Sequence, residues 1–100
     1  MTRPNLIQSK ASWRDYLAKA VQQTEQFQTL DSGWSLLKQV RAQLEFMAQC
    51  TENGRSPTPE EAKRITLGRL AVRNFEDTQP EYAEWLMELD YGFSKWDKLP

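Results

Sequence analysis

Apolar residues recur along this chain at intervals of three and four, the spacing of one face of an α-helix. Trp13, Leu17, Ala20 and Phe27, with Thr24 in register, mark a first face, and Trp34, Leu37, Val40, Leu44 and Met47 a second. A third run, Ile65, Leu67, Leu70, Ala71, Val72 and Phe75, points to more than one side, the pattern expected of a buried central helix. Tyr82, Trp85, Leu86, Leu89, Phe93 and Trp96 return to a single face. No stretch of useful length alternates with the two-residue period of a strand. Helix starts and stops separate the four runs. Ser12 with Asp15, Thr58 with Glu61 and Thr78 with Glu81 stand at capping-box spacing, and Asp31-Ser32 can open the second helix. Pro59 and Pro80 fall in first turns, and Gly54 in Asn53-Gly54-Arg55-Ser56-Pro57 suits a left-handed C-terminal cap. The pattern predicts an all-α fold, a compact antiparallel bundle of four main helices at about 12–29, 32–52, 59–76 and 79–96. Residues 1–100 form one domain in this scheme, with 1–10 as a loose N-terminal arm whose large apolar residues are Leu6 and Ile7.

Gly68 falls in the middle of the third predicted helix, where glycine costs about 1 kcal/mol relative to alanine. Close approach of another helix backbone would compensate. Composition then narrows the picture. A chain of 100 residues should fold to roughly 5,900 Å² of surface, enough for one modest core. Four tryptophans and 39% hydrophobic residues are too much apolar material for a disordered tail. The first ten residues lack the apolar run of a signal peptide and no segment approaches a membrane span, so the expected compartment is the cytoplasm.

The chain has no histidine and one cysteine, which excludes the usual nucleophile–imidazole triads, histidine metal sites and an internal disulfide. Cys50 has no imidazole to activate it and reads as a core or boundary residue. Gly33, Gly54, Gly68 and Gly92 stand apart from one another, so there is no phosphate-cradling loop. No cofactor, metal or small-molecule substrate is expected. The one enzymatic option is acid–base work by carboxylates alone, drawn from Glu60, Glu61, Glu76, Asp77 and Asp90; Glu60 and Glu61 are better explained by the dipole of the helix they begin.

Net charge is −1, against a nucleic-acid partner, but the charge is unevenly spread. Residues 1–50 carry six basic and four acidic groups, and residues 51–100 seven and ten, which gives +2 and −3. Glu76, Asp77, Glu81, Glu84, Glu88 and Asp90 follow one another with no intervening lysine or arginine, and Glu81, Glu84 and Glu88 share a helix face. Such a run is either a solvated face or a docking surface for a basic partner. Trp96, between Lys95 and Asp97 near the C-terminus, is a candidate exposed anchor for that surface.

Residues 63–81 contain Arg64, Thr66, Leu67, Gly68, Ala71, Val72, Phe75, Thr78, Pro80 and Glu81 in the spacing Arg-x-Thr-Leu-Gly-x-x-Ala-Val-x-x-Phe-x-x-Thr-x-Pro-Glu. This segment resembles a family of type VI secretion immunity proteins, and the likeness extends weakly over about residues 12–93. The best-known member of that family protects bacteria against an effector that hydrolyses NAD(P)+. The resemblance implies an all-helical inhibitor, not an enzyme, that binds the toxin domain of a cognate effector and blocks its active site stoichiometrically. A general helical adaptor or antitoxin-like interaction domain is the alternative that the same composition suits. The contact residues expected from charge and exposure are Glu76, Asp77, Glu81, Glu84, Glu88, Asp90 and Trp96.

Overall fold

A computed structural model describes residues 6–31 and 33–100. Among the described residues the regular elements are all helical: α1 (Lys10–Leu30), α2 (Ser35–Cys50), α3 (Pro59–Lys63), α4 (Leu67–Asn74) and α5 (Pro80–Ser94). Short 3-10 turns follow α2 at Glu52–Gly54 and α5 at Trp96–Lys98. The expected four-helix plan holds, with the third helix broken into α3 and α4. Helix α1 packs against α2 and α5, and α4 packs against α5. Each of these pairs is antiparallel. Trp13 near the start of α1 meets Phe93 near the end of α5, and Phe27 at the other end of α1 meets Tyr82. The accessible surface is 6395 Å², close to the area expected from the mass.

The predicted stripes build the core. Trp13, Leu17, Ala20 and Thr24 of α1 are buried, as are Leu37, Val40, Leu44, Met47 and Cys50 of α2. Tyr82, Ala83, Leu86, Leu89, Gly92 and Phe93 supply the face of α5. Thr24 is accommodated by donating its hydroxyl to the Ala20 carbonyl at 2.7 Å or sharing it with Tyr82 Oη at 2.6 Å. Burial pushes the Tyr82 phenol up to about 12, so it stays neutral in this network.

Several local expectations are corrected. Helix α1 starts earlier because Ser9, not Ser12, is its cap. The Ser12 amide donates to Ser9 Oγ at 3.1 Å and the Ser9 amide to Ser12 Oγ at 3.0 Å, so Ser12 is the reciprocal partner. Helix α2 begins at Ser35 after Trp34, without a side-chain cap, and Ser32 lies outside the described residues. Helix α5 begins at Pro80 with no side-chain cap from Thr78. At α3 the box is as expected: the Glu61 amide donates to Thr58 Oγ1 and the Thr58 amide to Glu61 Oε1. Gly54 takes φ of 79°, the left-handed backbone that favours glycine.

The third segment departs most from its expected form. It is not one central helix. The helix is interrupted between α3 and α4, at residues 64–66, which lets Ile65 and Leu67, two residues apart, both turn inward. The Gln43 side chain closes the break by accepting from the Thr66 amide at 2.8 Å and donating to Thr66 Oγ1 at 2.9 Å. Helix α4 then buries Leu67, Ala71 and Phe75, the residue that ends it, and leaves Val72 exposed, so it is an outer amphipathic helix.

That break also explains Gly68. It lies in the first turn of α4, where the Asp90 carboxylate of α5 accepts its amide hydrogen at 2.7 Å. A β-carbon at Gly68 would stand 3.1 Å from Asp90 Oδ2. The close approach is therefore a capping carboxylate rather than a second backbone.

Of the expected arm, residues 1–5 lie outside the described residues. Ile7 is buried, the Leu6 amide donates to Glu88 Oε1 at 2.8 Å, and the Lys10 amide donates to the Pro100 carbonyl at 2.8 Å.

Candidate partner-binding surface

The six carboxylates that form one run in the sequence occupy three different settings. Glu76 and Asp77 are exposed on the turn between α4 and α5, and Glu81 is exposed in the first turn of α5. Glu84 and Glu88 are half-buried further along that helix, and Glu88 is engaged by the Leu6 amide. Asp90 lies nine residues after Glu81, and at about 100° per residue that places it on the opposite side of α5. There it caps α4. Burial raises the Asp90 carboxyl above its usual range, while the Gly68 amide and the Arg69 charge pull it down.

Trp96 is not an exposed anchor. It is 4% exposed, packs edge-on against Trp13 with ring centroids 4.9 Å apart, and has Lys10 Nζ 5.8 Å from its ring centre. Trp34 lies on the second apolar stripe, whose other members are buried, yet it is 41% exposed. Trp85 is half-buried beside Tyr16.

The carboxylates that could have served acid–base chemistry do not converge on any of the four surface cavities. Glu60 is exposed at the start of α3. Glu61 is tied to its own cap and to Arg55, and the Thr58 amide with the Cys50 thiol and Arg55 holds its carboxyl down to about 2. Four surface cavities contain Glu88, Asp31, Glu81 and no carboxylate respectively, so none brings two carboxylates together. Cys50 is buried, and desolvation, then the hydrogen bond to Glu61 and its charge, push the thiol pKa up, away from the reactive thiolate. No group of three metal-ligating side chains gathers among the described residues.

One surface feature escaped the sequence pattern. A groove of about 190 Å³ opens between the α1–α2 turn and the α4–α5 turn. Phe27, Leu30, Trp34, Leu37 and Phe75 form its apolar wall, and Asp31, Thr78 and Gln79 complete it. Leu30 is 86% exposed and Trp34 stands 5.6 Å from Phe75 between ring centres. The only hint in the sequence is Leu30 itself, an apolar residue past the end of its stripe and just before a turn.

The family model Tsi6 matches residues 12–95, from the first turn of α1 through the end of α5. The chain belongs to the Tsi6 family. This is a type VI secretion immunity family. No curated protein and no solved structure matches the chain. The Tsi6 match takes in the groove, the acidic turn and the Gly68–Asp90 contact, and leaves out both the Leu6–Lys10 segment and the C-terminal 3-10 turn that meet at the other end of the bundle.

Proposed function

We propose that this chain is the dedicated inhibitor of one type VI effector. It binds the effector's toxin domain in the cytoplasm of the producing cell and blocks the active site by covering it, one inhibitor to one toxin, with no chemistry of its own. The Tsi6 match across all the main helices carries this reading. A pre-built bundle with a prebuilt surface supports it, because a rigid inhibitor loses little ordering entropy on docking. The family resemblance makes an NAD(P)+ glycohydrolase the first toxin to test.

The exposed carboxylates Glu76, Asp77 and Glu81, with Glu84 beside them, form the electrostatic part of the proposed contact face. Such a face speeds encounter with a basic partner and repels a wrong one. Glu88 and Asp90 serve mainly inside the molecule, and Trp96 serves in the core. The decisive experiment is co-expression of the chain with the toxin domain of the effector encoded beside it. Growth should be restored, with cellular NAD+ preserved if the toxin is a glycohydrolase, and an unrelated effector should stay lethal. Continued killing by the neighbouring toxin despite soluble inhibitor would sink the proposal.

A further inference from the structure

We infer that the groove between the α1–α2 and α4–α5 turns receives one apolar side chain carried on a basic segment of the toxin domain. The inference rests on the immunity reading above and adds to it a position and a partner chemistry.

The size of the groove fits a side chain. Its volume of about 190 Å³ is below the roughly 300–1,000 Å³ of small-molecule sites. Its walls are fixed before any partner arrives. Trp34 leans on Phe75, Phe75 meets Tyr82 edge-on at 5.1 Å, and Tyr82 meets Phe27 edge-on at 5.0 Å. An incoming side chain therefore displaces water from a formed aromatic surface and orders little protein. Leu30, exposed at the lip, is the residue with most apolar surface left to cover.

Charge identifies what flanks that side chain. Among the described residues the lining holds one carboxylate, Asp31, and no cation, and the two residues after Phe75 are the exposed Glu76 and Asp77. Arginine or lysine beside the entering group would pair with them, and a cation can also lie over the open face of Trp34. The same charge argues against a second copy of this chain. A two-fold interface places the same patch on both partners, which would bring two acidic patches together with no lysine or arginine in either lining to pair with them.

The test is calorimetric and kinetic titration of the full chain with the inactivated toxin domain of the neighbouring effector. Leu30→Asp should weaken binding by about 30-fold or more while keeping the wild-type melting temperature. The triple variant Asp31→Lys/Glu76→Lys/Asp77→Lys should slow association about tenfold and flatten its salt dependence. Tyr91→Asp, a change at an exposed ring outside the groove, should stay within about threefold of wild type. Tight wild-type binding that Leu30→Asp leaves intact overturns the groove and spares the immunity reading. Wild-type chain that does not bind the toxin overturns both. Sedimentation as a dimer that Leu30→Asp separates, with toxin affinity unchanged, assigns the groove to a second copy and overturns the inference.

Discussion

Trp13 and Trp34 both lie on the apolar stripes of their helices, yet one is completely enclosed and the other is 41% exposed. Trp13 stacks near Phe93 at 6.1 Å, meets Trp96 edge-on at 4.9 Å, and donates its indole N–H to the Leu89 carbonyl at 3.0 Å. Gly92 leaves the space it needs: a β-carbon there would come within 2.8 Å of Trp13 Cδ1. Residues 7–10 and 99–100 then close over that end through Ile7, Leu99 and the bond from Lys10 to Pro100. At the opposite end, Trp34 also joins an aromatic chain, through Phe75 and Tyr82 to Phe27, but no segment among the described residues closes over Leu30 and the groove. Helical period places a residue on a stripe. Whether it is covered depends on what the rest of the chain lays over that end.

The largest expected difference between the two ends is in stability. Trp13→Ala should cost about 3–5 kcal/mol, because it empties a packed site and removes the indole hydrogen bond to the Leu89 carbonyl. Trp34→Ala should cost no more than about 1.5 kcal/mol, the scale of an aromatic pair contact at a partly wet site. Urea unfolding of the two variants compares them directly. Equal costs would mean that the open end is as much part of the core as the closed one.

A second prediction concerns Gly68 and Asp90, which tie α4 to α5. Asp90→Ala removes the acceptor of the Gly68 amide and should cost about 1–3 kcal/mol. Gly68→Leu pushes against the Asp90 carboxylate and should cost a similar amount, about 1–3 kcal/mol. Because the two residues touch, the penalty for Gly68→Leu should shrink in the Asp90→Ala background by more than about 0.5 kcal/mol. Strict additivity would show that the carboxylate is not what makes glycine necessary there.

The sequence made the stripes of α1, α2 and α5 legible because burial on one side of a regular helix imposes its own period. It hid the features that depend on distant partners. The break at residues 64–66 contains neither glycine nor proline; the Arg64 and Ile65 amides still bond back to Glu61 and Ala62, and the Thr66 amide is taken by Gln43 from another helix. Trp96 is flanked by charges and near a terminus, which suggests exposure, but residues at the other terminus cover the same end of the bundle. The acidic run is continuous in the chain and divided in space, because the helical step turns Asp90 away from Glu81. The groove draws on the end of α1, the start of α2 and the end of α4, so no single window of sequence contains it.

The acid limb of stability should separate two carboxylates with opposite displacements. Glu61 is held at about 2, below its ordinary 4.5, so its folded form releases the proton more readily than the unfolded chain. Its contribution is present above about pH 4.5 and is lost as pH falls toward 2. Asp90 is displaced upward by burial, so the folded protein holds that proton more tightly, and stability declines as pH rises from the ordinary aspartate value of 3.8 to the raised one. Urea midpoints measured across the acid range should therefore lose part of their low-pH fall in Glu61→Gln and part of their rise-dependent decline in Asp90→Asn. A change of the same sign in both variants would contradict the assigned environments.

The smallest expected effect is at the lip of the open end. Leu30 is the last residue of α1 and is 86% exposed, so Leu30→Asp removes little packing. A carboxylate at a helix C-terminus meets the negative end of the dipole, a cost of about 0.3–1 kcal/mol, and Asp31 beside it adds like charge. Leu30 meets water in the folded and unfolded chain alike, so its loss adds little to that cost, and salt screens the dipole contribution. The net change should fall within about 0.5 kcal/mol, with a cooperative melt like that of the parent chain. That near-silence is what gives the variant its value in toxin titrations, since any large loss of binding then arises at the surface. A fall of several degrees in melting temperature would place Leu30 among the residues that hold α1 to α2, and the open end would then be a thinly covered part of the core.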